Sequence, residues 1–166
     1  MTEISRQRPF TFESVEYTDP RAVALRKVMD AEMAERYQAA DLLEMDPVIA
    51  KALYVDVASI ASTVLVLDAD GTPIGHAALR LHDGDWEVKR VIIDRGQRQR
   101  GIGRAMLLEL IRIASAGGAQ RLILQTGNKQ PESVALYTSL GFEPIPPYEP
   151  YRTAIPLSLC FAKSLV

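Results

Sequence analysis

Ten residues near the middle of the chain concentrate the types that bind phosphate. Arg95-Gly96-Gln97-Arg98-Gln99-Arg100-Gly101-Ile102-Gly103-Arg104 holds four arginines and three glycines. Glycine lets a backbone turn tightly and come close to a ligand. A helix that follows such a loop presents unpaired N–H groups and the positive end of its dipole, which together suit a phosphate or pyrophosphate. Arg98, Arg100 and Arg104 are placed to add charge-assisted hydrogen bonds. The same composition also suits a solvated basic loop that holds nothing, so the loop by itself leaves both readings open.

Spacing narrows the choice of phosphate. Gly96 and Gly101 stand at the Walker A interval, but Ile102-Gly103 takes the place of the Lys-Ser/Thr pair that nucleotide and magnesium chemistry needs. Gly101-Ile102-Gly103-Arg104-Ala105-Met106 puts methionine at the third glycine of a dinucleotide fingerprint. No carboxylate cluster for magnesium is evident. What remains is a pyrophosphate cradled by amides and arginines, without a metal.

Composition bounds the rest. A chain of 166 residues, 48% apolar and 24% charged, fits one domain with a real core. A net charge of −2 argues against a general nucleic-acid binder. No apolar run approaches the ~18–20 residues that span a bilayer, and MTEISRQRPF lacks the apolar stretch of a secretory signal. Cys160 alone forms no intramolecular disulfide, and His76 and His82 are isolated, so neither type builds a metal site. His76 and His82 are expected to be structural, and Cys160 to be a buried strand residue. These observations predict a cytoplasmic domain with no metal, membrane or nucleic-acid partner.

The elements that must position the loop follow from periodicity. Residues 1–9 read as a flexible tail, and residues 10–166 as a single domain. Phe10–Tyr17 alternates as a strand. Asp19-Pro20 opens a helix running to about Tyr37, with Val23, Leu25, Val28, Met29 and Met33 as its apolar face. A second helix starts near Asp46-Pro47. Ser62–Leu67, Pro73–Leu81 and Trp86–Ile93 form strands joined by Asp70-Gly71 and Asp83-Gly84-Asp85. After the arginine loop, Ala105–Ala116 is a helix apolar on most sides, stopped by Gly117-Gly118. Arg121–Thr126 is a strand, Pro131–Leu140 a helix, and Phe142–Ile145 and Ile155–Lys163 the last strands, separated by a Pro- and Tyr-rich loop. The order predicts an α/β fold with a mixed sheet.

At this resolution of detail the chain resembles the GCN5-related N-acetyltransferases. Arg98-Gln99-Arg100-Gly101-Ile102-Gly103 is similar to that family's Gln/Arg-x-x-Gly-x-Gly/Ala signature at a strand-to-helix junction. Val88–Ile93 resembles its fourth strand. Gln130-Pro131-Glu132-Ser133-Val134-Ala135-Leu136-Tyr137 with Leu140-Gly141-Phe142-Glu143 resembles its next helix, in the Gln-Pro-Glu form of a subset. The likeness covers roughly Thr63–Glu143. Two departures stand out: Arg95-Gly96 where many members carry Pro, and Gln130 where many carry Asn, with Asn128 the alternative source of that amide contact.

The resemblance implies a mostly antiparallel central sheet flanked by helices and splayed between its fourth and fifth strands. It implies acetyl-coenzyme A as co-substrate, held by Val91, Ile92 and Ile93, by Arg98 to Arg104, by Asn128 or Gln130, and by Tyr137. In that frame the N–H groups of Val91 and Ile93 receive the thioester carbonyl and the pantetheine amide. Tyr137 protonates the departing thiolate, although a tyrosine on such a helix also reads as core packing. Glu87, eleven residues before Arg98, takes the place of a general base, or is a surface carboxylate paired with Lys89. An ammonium near pKa 10.4 is almost wholly protonated at neutral pH, so a base helps. The acceptor, a small-molecule or peptide amine, is expected near Glu32, Glu35, Arg36, Tyr37, Tyr148 and Tyr151, where acidic groups would favour a cationic amine. A non-catalytic acetyl-coenzyme A sensor, a different acyl group or acceptor, and a homodimer are left open.

Overall fold

The computed structural model describes residues 9–36 and 46–166. Apart from Pro9, the N-terminal tail lies outside them, as does Tyr37.

The second, third and fourth strands form a meander joined by short glycine turns, while two helices separate the first strand from the second. β1 (Phe10–Val15) pairs with β2 (Ile60–Asp68), β2 with β3 (Pro73–His82), and β3 with β4 (Asp85–Ile93), all antiparallel. The β3–β4 connection is the two-residue Asp83-Gly84, both at positive φ (49° and 83°), the conformation whose twist matches flanking strands. That turn fixes register: Arg80 stands opposite Glu87.

The chain then crosses over. α3 (Ile102–Ala116) returns it to β5 (Arg121–Thr126), parallel to β4, and α4 (Pro131–Ser139) leads to β6 (Glu143–Ile145). β7 (Leu159–Ser164) inserts between β5 and β6, giving one seven-stranded sheet in the order β1-β2-β3-β4-β5-β7-β6. β4 and β5 pair only at Trp86–Leu122, Glu87–Ile123 and Val88–Leu124. Beyond Val88 the two strands part.

Each sheet face has its own cover. α3 buries Ile102, Met106, Leu107, Leu110 and Ala114 against Val64, Val66, Leu79, Val88 and Leu122, joined by Tyr137 and Leu140 of α4. On the other face α1 (Pro20–Arg36) sets Ala22 and Leu25 on Leu65 and Ile92. Its inward stripe differs from the apolar count: Val28 is exposed, while the polar Arg26 is buried. α2 (Pro47–Leu53) is capped by Asp46, whose carboxylate accepts from the Val48 N–H at 2.8 Å.

Two boundaries move. α3 begins at Ile102, inside the arginine-glycine run, because glycine at Gly101 (φ 76°) lets the chain enter the helix there. The strand expected from Ile155 starts only at Leu159, and Tyr151–Ala154 forms a short helix, α5, within the Pro- and Tyr-rich segment.

Candidate active site

The end of β4 is shaped by a bulge. Its register against β3 shifts between His76–Ile92 and Ala78–Lys89, and Arg90 at the bulge has φ 56°. His76, fully buried, holds it: Nδ1–H donates to the Arg90 carbonyl at 2.8 Å while Nε2 accepts from Arg26 at 2.9 Å. Both bonds need a neutral ring, and burial lowers the imidazole to about 4. Arg90 also donates to Asp30 of α1 at 2.8 Å. His76 is therefore structural, and so is His82, whose Nε2–H donates to the Glu149 carbonyl at 2.8 Å.

Past the bulge, a 3-10 turn (Arg95–Gln97) leads into the glycines. A Cβ on Gly101 would meet nothing within 4 Å, so its glycine answers to conformation and leaves the space before it open. A Cβ on Gly103 would lie 2.8 Å from Ile93 Cδ1 and 3.1 Å from Leu136 Cδ2, so this glycine lets α3 press between β4 and α4. In front of the loop lies a cleft of about 370 Å³. Val91, Ile92 and Ile93 from β4, Arg98, Gln99 and Gly101 from the loop, Ile102, Gly103 and Arg104 from the start of α3, Gln130 just before α4 and Tyr137 within it all line it.

Thus β4, the loop and α4 meet in one place. Arg100 and Asn128 do not join them. Arg100 lies 3.5 Å from Asp68, and Asn128 is exposed in the turn before Gln130. Among the described residues the cleft offers what a pyrophosphate-bearing coenzyme needs: orphan N–H groups at the start of α3, arginines, and open space before Gly101. Tyr137 is only 6% exposed, and burial raises its phenol above the ordinary range.

Glu32 and Arg36, expected at the acceptor, line the same cleft and are already engaged. Glu32 Oε2 accepts from Arg98 at 2.8 Å, with Arg36 at 3.5 Å and Arg95 at 3.6 Å from Oε1. Arg98 beside it holds the Glu32 carboxyl below the usual range. Arg36 also pairs with Glu132, and Glu35 lies 3.7 Å from Arg95. The acidic end of α1 therefore pairs with two of the loop's arginines, Arg95 and Arg98.

A second assembly occupies the opposite face of β4. Glu87 is fully buried; its Oε1 accepts from Arg80 Nε at 2.5 Å and its Oε2 from the Tyr148 hydroxyl at 2.5 Å. Its ion-pair partner is Arg80, not Lys89. Lys89 Nζ instead donates to the Tyr151 hydroxyl at 2.7 Å, which also accepts from Arg80 at 3.2 Å. Burial lowers Lys89 to about 8. Sequence reasoning missed Arg80, although the signal was present: residues equidistant from a two-residue turn face each other, and Arg80 and Glu87 are equidistant from Asp83-Gly84. Cys160 is buried beside this group.

A wider depression of about 710 Å³ lies at the other end of the sheet, bordered by Gly84, Asp85, Trp86 and Arg121. Arg121 and Asp85 satisfy each other at 2.8 Å, and no residue of the glycine loop reaches it.

Residues 25–142 match the acetyltransferase (GNAT) family, and the chain belongs to that family. It is 37% identical over 103 residues to an IAA acetyltransferase of Azospirillum brasilense, covering 61% of this chain and 67% of that one. An acyl-CoA N-acyltransferase structure from Klebsiella pneumoniae superposes with TM-score 0.77 at 27% identity, over 96% of this chain and 100% of that chain. A GNAT family acetyltransferase from Elizabethkingia anophelis, solved with acetyl-CoA bound, shares the fold at TM-score 0.67 and 16% identity, over 95% of this chain and 99% of that chain.

Proposed function

We propose that this chain is an N-acetyltransferase in which an amine attacks acetyl-coenzyme A directly, both substrates being bound at once. The observation that carries the reading is a single cleft joining the splayed half of β4, the left-handed glycine before α3 and Tyr137. Acetyl-coenzyme A supplies a thioester activated toward amines. Amides at the start of α3, with Arg98 and Arg104, hold the pyrophosphate and do for it what a magnesium ion does elsewhere. Val91 and Ile93, on the part of β4 that β5 leaves unpaired, offer main-chain N–H groups to the thioester carbonyl and the pantetheine amide. Such preformed donors are commonly worth a few kcal/mol where negative charge develops.

Tyr137 gives its proton to the departing sulfur. The dry surroundings that raise the phenol raise the thiolate's basicity too, so the two stay matched. Gln130, in the cleft, takes the amide contact in preference to the exposed Asn128. Glu87 serves as the base for the acceptor, a small-molecule or peptide amine that approaches from the Tyr148 side, and the protein works in the cytoplasm.

Thermal shift with acetyl-coenzyme A, coenzyme A and an oligonucleotide tests the binding half, since a ligand at 100 times its dissociation constant adds ~2.7 kcal/mol. A free-thiol assay over a panel of amines tests the chemistry. Stabilisation by coenzyme A without thiol release from any amine would favour a sensor.

A further inference from the structure

The Val91 N–H is asked to meet a carbonyl oxygen, yet nothing in the Val91 side chain aims it. Its direction is set by the residue before it. The nitrogen of Val91 and the carbonyl of Arg90 belong to one planar trans peptide group, so the N–H and the C=O point in opposite directions. Whatever holds the Arg90 carbonyl therefore aims the Val91 N–H. His76 of β3 holds it, with Nδ1 at 2.8 Å from that oxygen. The N–H then leaves on the side away from His76, toward the edge of β4 that β5 abandons after Val88. Asp94, just past β4, agrees with this sense. Its N–H turns back to the Ile74 carbonyl of β3 at 2.9 Å, and alternation along the strand turns Ile93 and Val91 N–H outward.

We infer that His76, with Arg26 behind it, is the positioning device for the Val91 N–H, aiming it at the thioester carbonyl and polarising it. This rests on the N-acetyltransferase reading and names two residues that act within it without touching substrate. Arginine has donors only, so the His76 nitrogen 2.9 Å from Arg26 Nη1 accepts and the other ring nitrogen carries the hydrogen. The ring is fully buried and burial lowers it to about 4, so this tautomer persists across neutral pH. Arg26 is itself pinned. Its Nη2 donates to the Tyr17 carbonyl at 2.6 Å, and its guanidinium lies 3.7 Å from the Tyr17 ring centroid.

A cation, an imidazole and a peptide group are thus joined head to tail, each donating in the same sense. In a buried chain of this kind each bond polarises the next, and a positive charge at its head strengthens the last donor. That last donor is the Val91 N–H. Arg90 is strained to make the arrangement possible. Its φ of 56° is unusual for a residue with a Cβ, and such a conformation persists only where its surroundings over-determine it. Here the carbonyl is held by His76, while the guanidinium donates to Asp30 at 2.8 Å. Arg26 and Asp30 lie one turn apart on α1, so α1 grips the bulge twice, once through the imidazole and once through the Arg90 side chain. A histidine that only filled space in the core would need neither of its bonds.

The test uses His76→Leu, His76→Asn and Arg26→Met of the whole chain. The acceptor is the fastest of tyramine, spermidine, kanamycin and a tripeptide with a free N-terminus. Coenzyme A has no thioester carbonyl, so its dissociation constant should stay near the wild-type value in every variant. His76→Leu should lower kcat by about 10²-fold, the low end for losing such a donor, with little change in either KM. His76→Asn, whose side-chain N–H can reach the Arg90 carbonyl, should recover most of that loss, and Arg26→Met should fall between the two. In the wild type, the Val91 amide proton resonance should move further downfield with acetyl-coenzyme A than with coenzyme A. That difference should shrink in Arg26→Met and in His76→Leu. The amide shift needs no acceptor, so it reads the positioning role even where no amine in the panel reacts; absent thiol release then counts against the N-acetyltransferase reading alone. Wild-type kcat in His76→Leu, or a Val91 difference unchanged in Arg26→Met, overturns the inference. A loss of kcat that follows the melting temperature and is not rescued by His76→Asn makes His76 a core residue only, and overturns it too. If His76→Leu does not fold, the Val91 difference and kcat in Arg26→Met decide the matter by the same outcomes.

Discussion

The two faces of β4 solve different problems with different materials. Where α3 meets the end of β4, the cleft depends on backbone, a left-handed glycine and orphan amides, and side chains from α1, the loop and α4 line the rest of it. On the other face, Arg80, Glu87, Lys89, Tyr148 and Tyr151 form a site made of side chains, buried and mutually satisfied. A backbone site survives most substitutions because its donors belong to no particular residue. A buried side-chain site fails when any charged member is removed, because its partner is left without solvent or counter-charge. The first face should thus be sensitive in ligand affinity, and the second in stability and acceptor chemistry.

The largest effect tests the one side chain of the backbone-built cleft that is asked to react. Tyr137→Phe should lower kcat by about 10²–10⁴-fold where chemistry limits the rate. The dissociation constant for coenzyme A and the melting temperature should hardly change, since the ring stays packed on Phe142 and Phe161. An unaltered kcat returns Tyr137 to core packing.

Next, Arg80→Ala strands a fully buried carboxylate. Urea unfolding should show a loss of about 3–5 kcal/mol, the usual result of breaking a buried pair from one side. Coenzyme A affinity, measured below the unfolding transition, should stay within a factor of two or so, roughly 0.4 kcal/mol. If stability holds while affinity collapses, the two faces are not the separate devices described above.

Gly101→Asp should raise the dissociation constant for coenzyme A by roughly 100-fold, because a side chain at φ 76° is strained and a carboxylate there repels phosphate. Calorimetry on the folded variant decides it; wild-type affinity would mean that the pyrophosphate binds elsewhere.

A pH experiment reads the second face alone. Burial lowers Lys89 from its ordinary 10.5 to about 8. Below pH 8 both folded and unfolded chains hold the proton, and the burial penalty is fully present. Between about pH 8 and 10 the unfolded chain keeps a proton on this lysine that the folded chain has lost, so its contribution to stability should rise with pH, by on the order of 2 kcal/mol. Cys160, whose thiol burial raises, works in the opposite direction over the same interval and is common to both proteins, so the quantity to read is wild type minus Lys89→Met. A difference that is flat or falling with pH would show that Lys89 is not a buried charge.

The smallest effect sharpens the boundary between α1 and the loop. Glu32 already occupies Arg98, so a pyrophosphate must compete with it. Glu32→Gln should tighten coenzyme A binding by only a few-fold, because Arg98 is about a third exposed and such pairs are worth about 0–1 kcal/mol. The gain should fade in high salt. Weaker binding instead would show that Glu32 orients Arg98 for its ligand.

What could be read without coordinates follows this division. The meander, the crossover helix and the glycine-arginine loop are local patterns: periodicity, two-residue turns and left-handed glycines act within a few residues, so Asp83-Gly84 and Arg98–Gly103 are legible in the string. Even the Arg80–Glu87 pairing is a consequence of turn geometry. The convergence of Val91, Gly101 and Tyr137 on one cleft is different, because it depends on where α3 and α4 pack. The engagement of Glu32 by Arg98 and the closing of Tyr148 over Glu87 join residues more than sixty positions apart. Such pairings depend on which buried charge lacks a partner once the core has formed, and no local spacing encodes that. The backbone cradle and the Arg80–Glu87 pair are written in the string, since turns, helix starts and hairpin register are short-range. The long-range partners, Arg98 for Glu32 and Tyr148 for Glu87, follow only from how the helices and the late loop pack, since those contacts are a property of the whole fold.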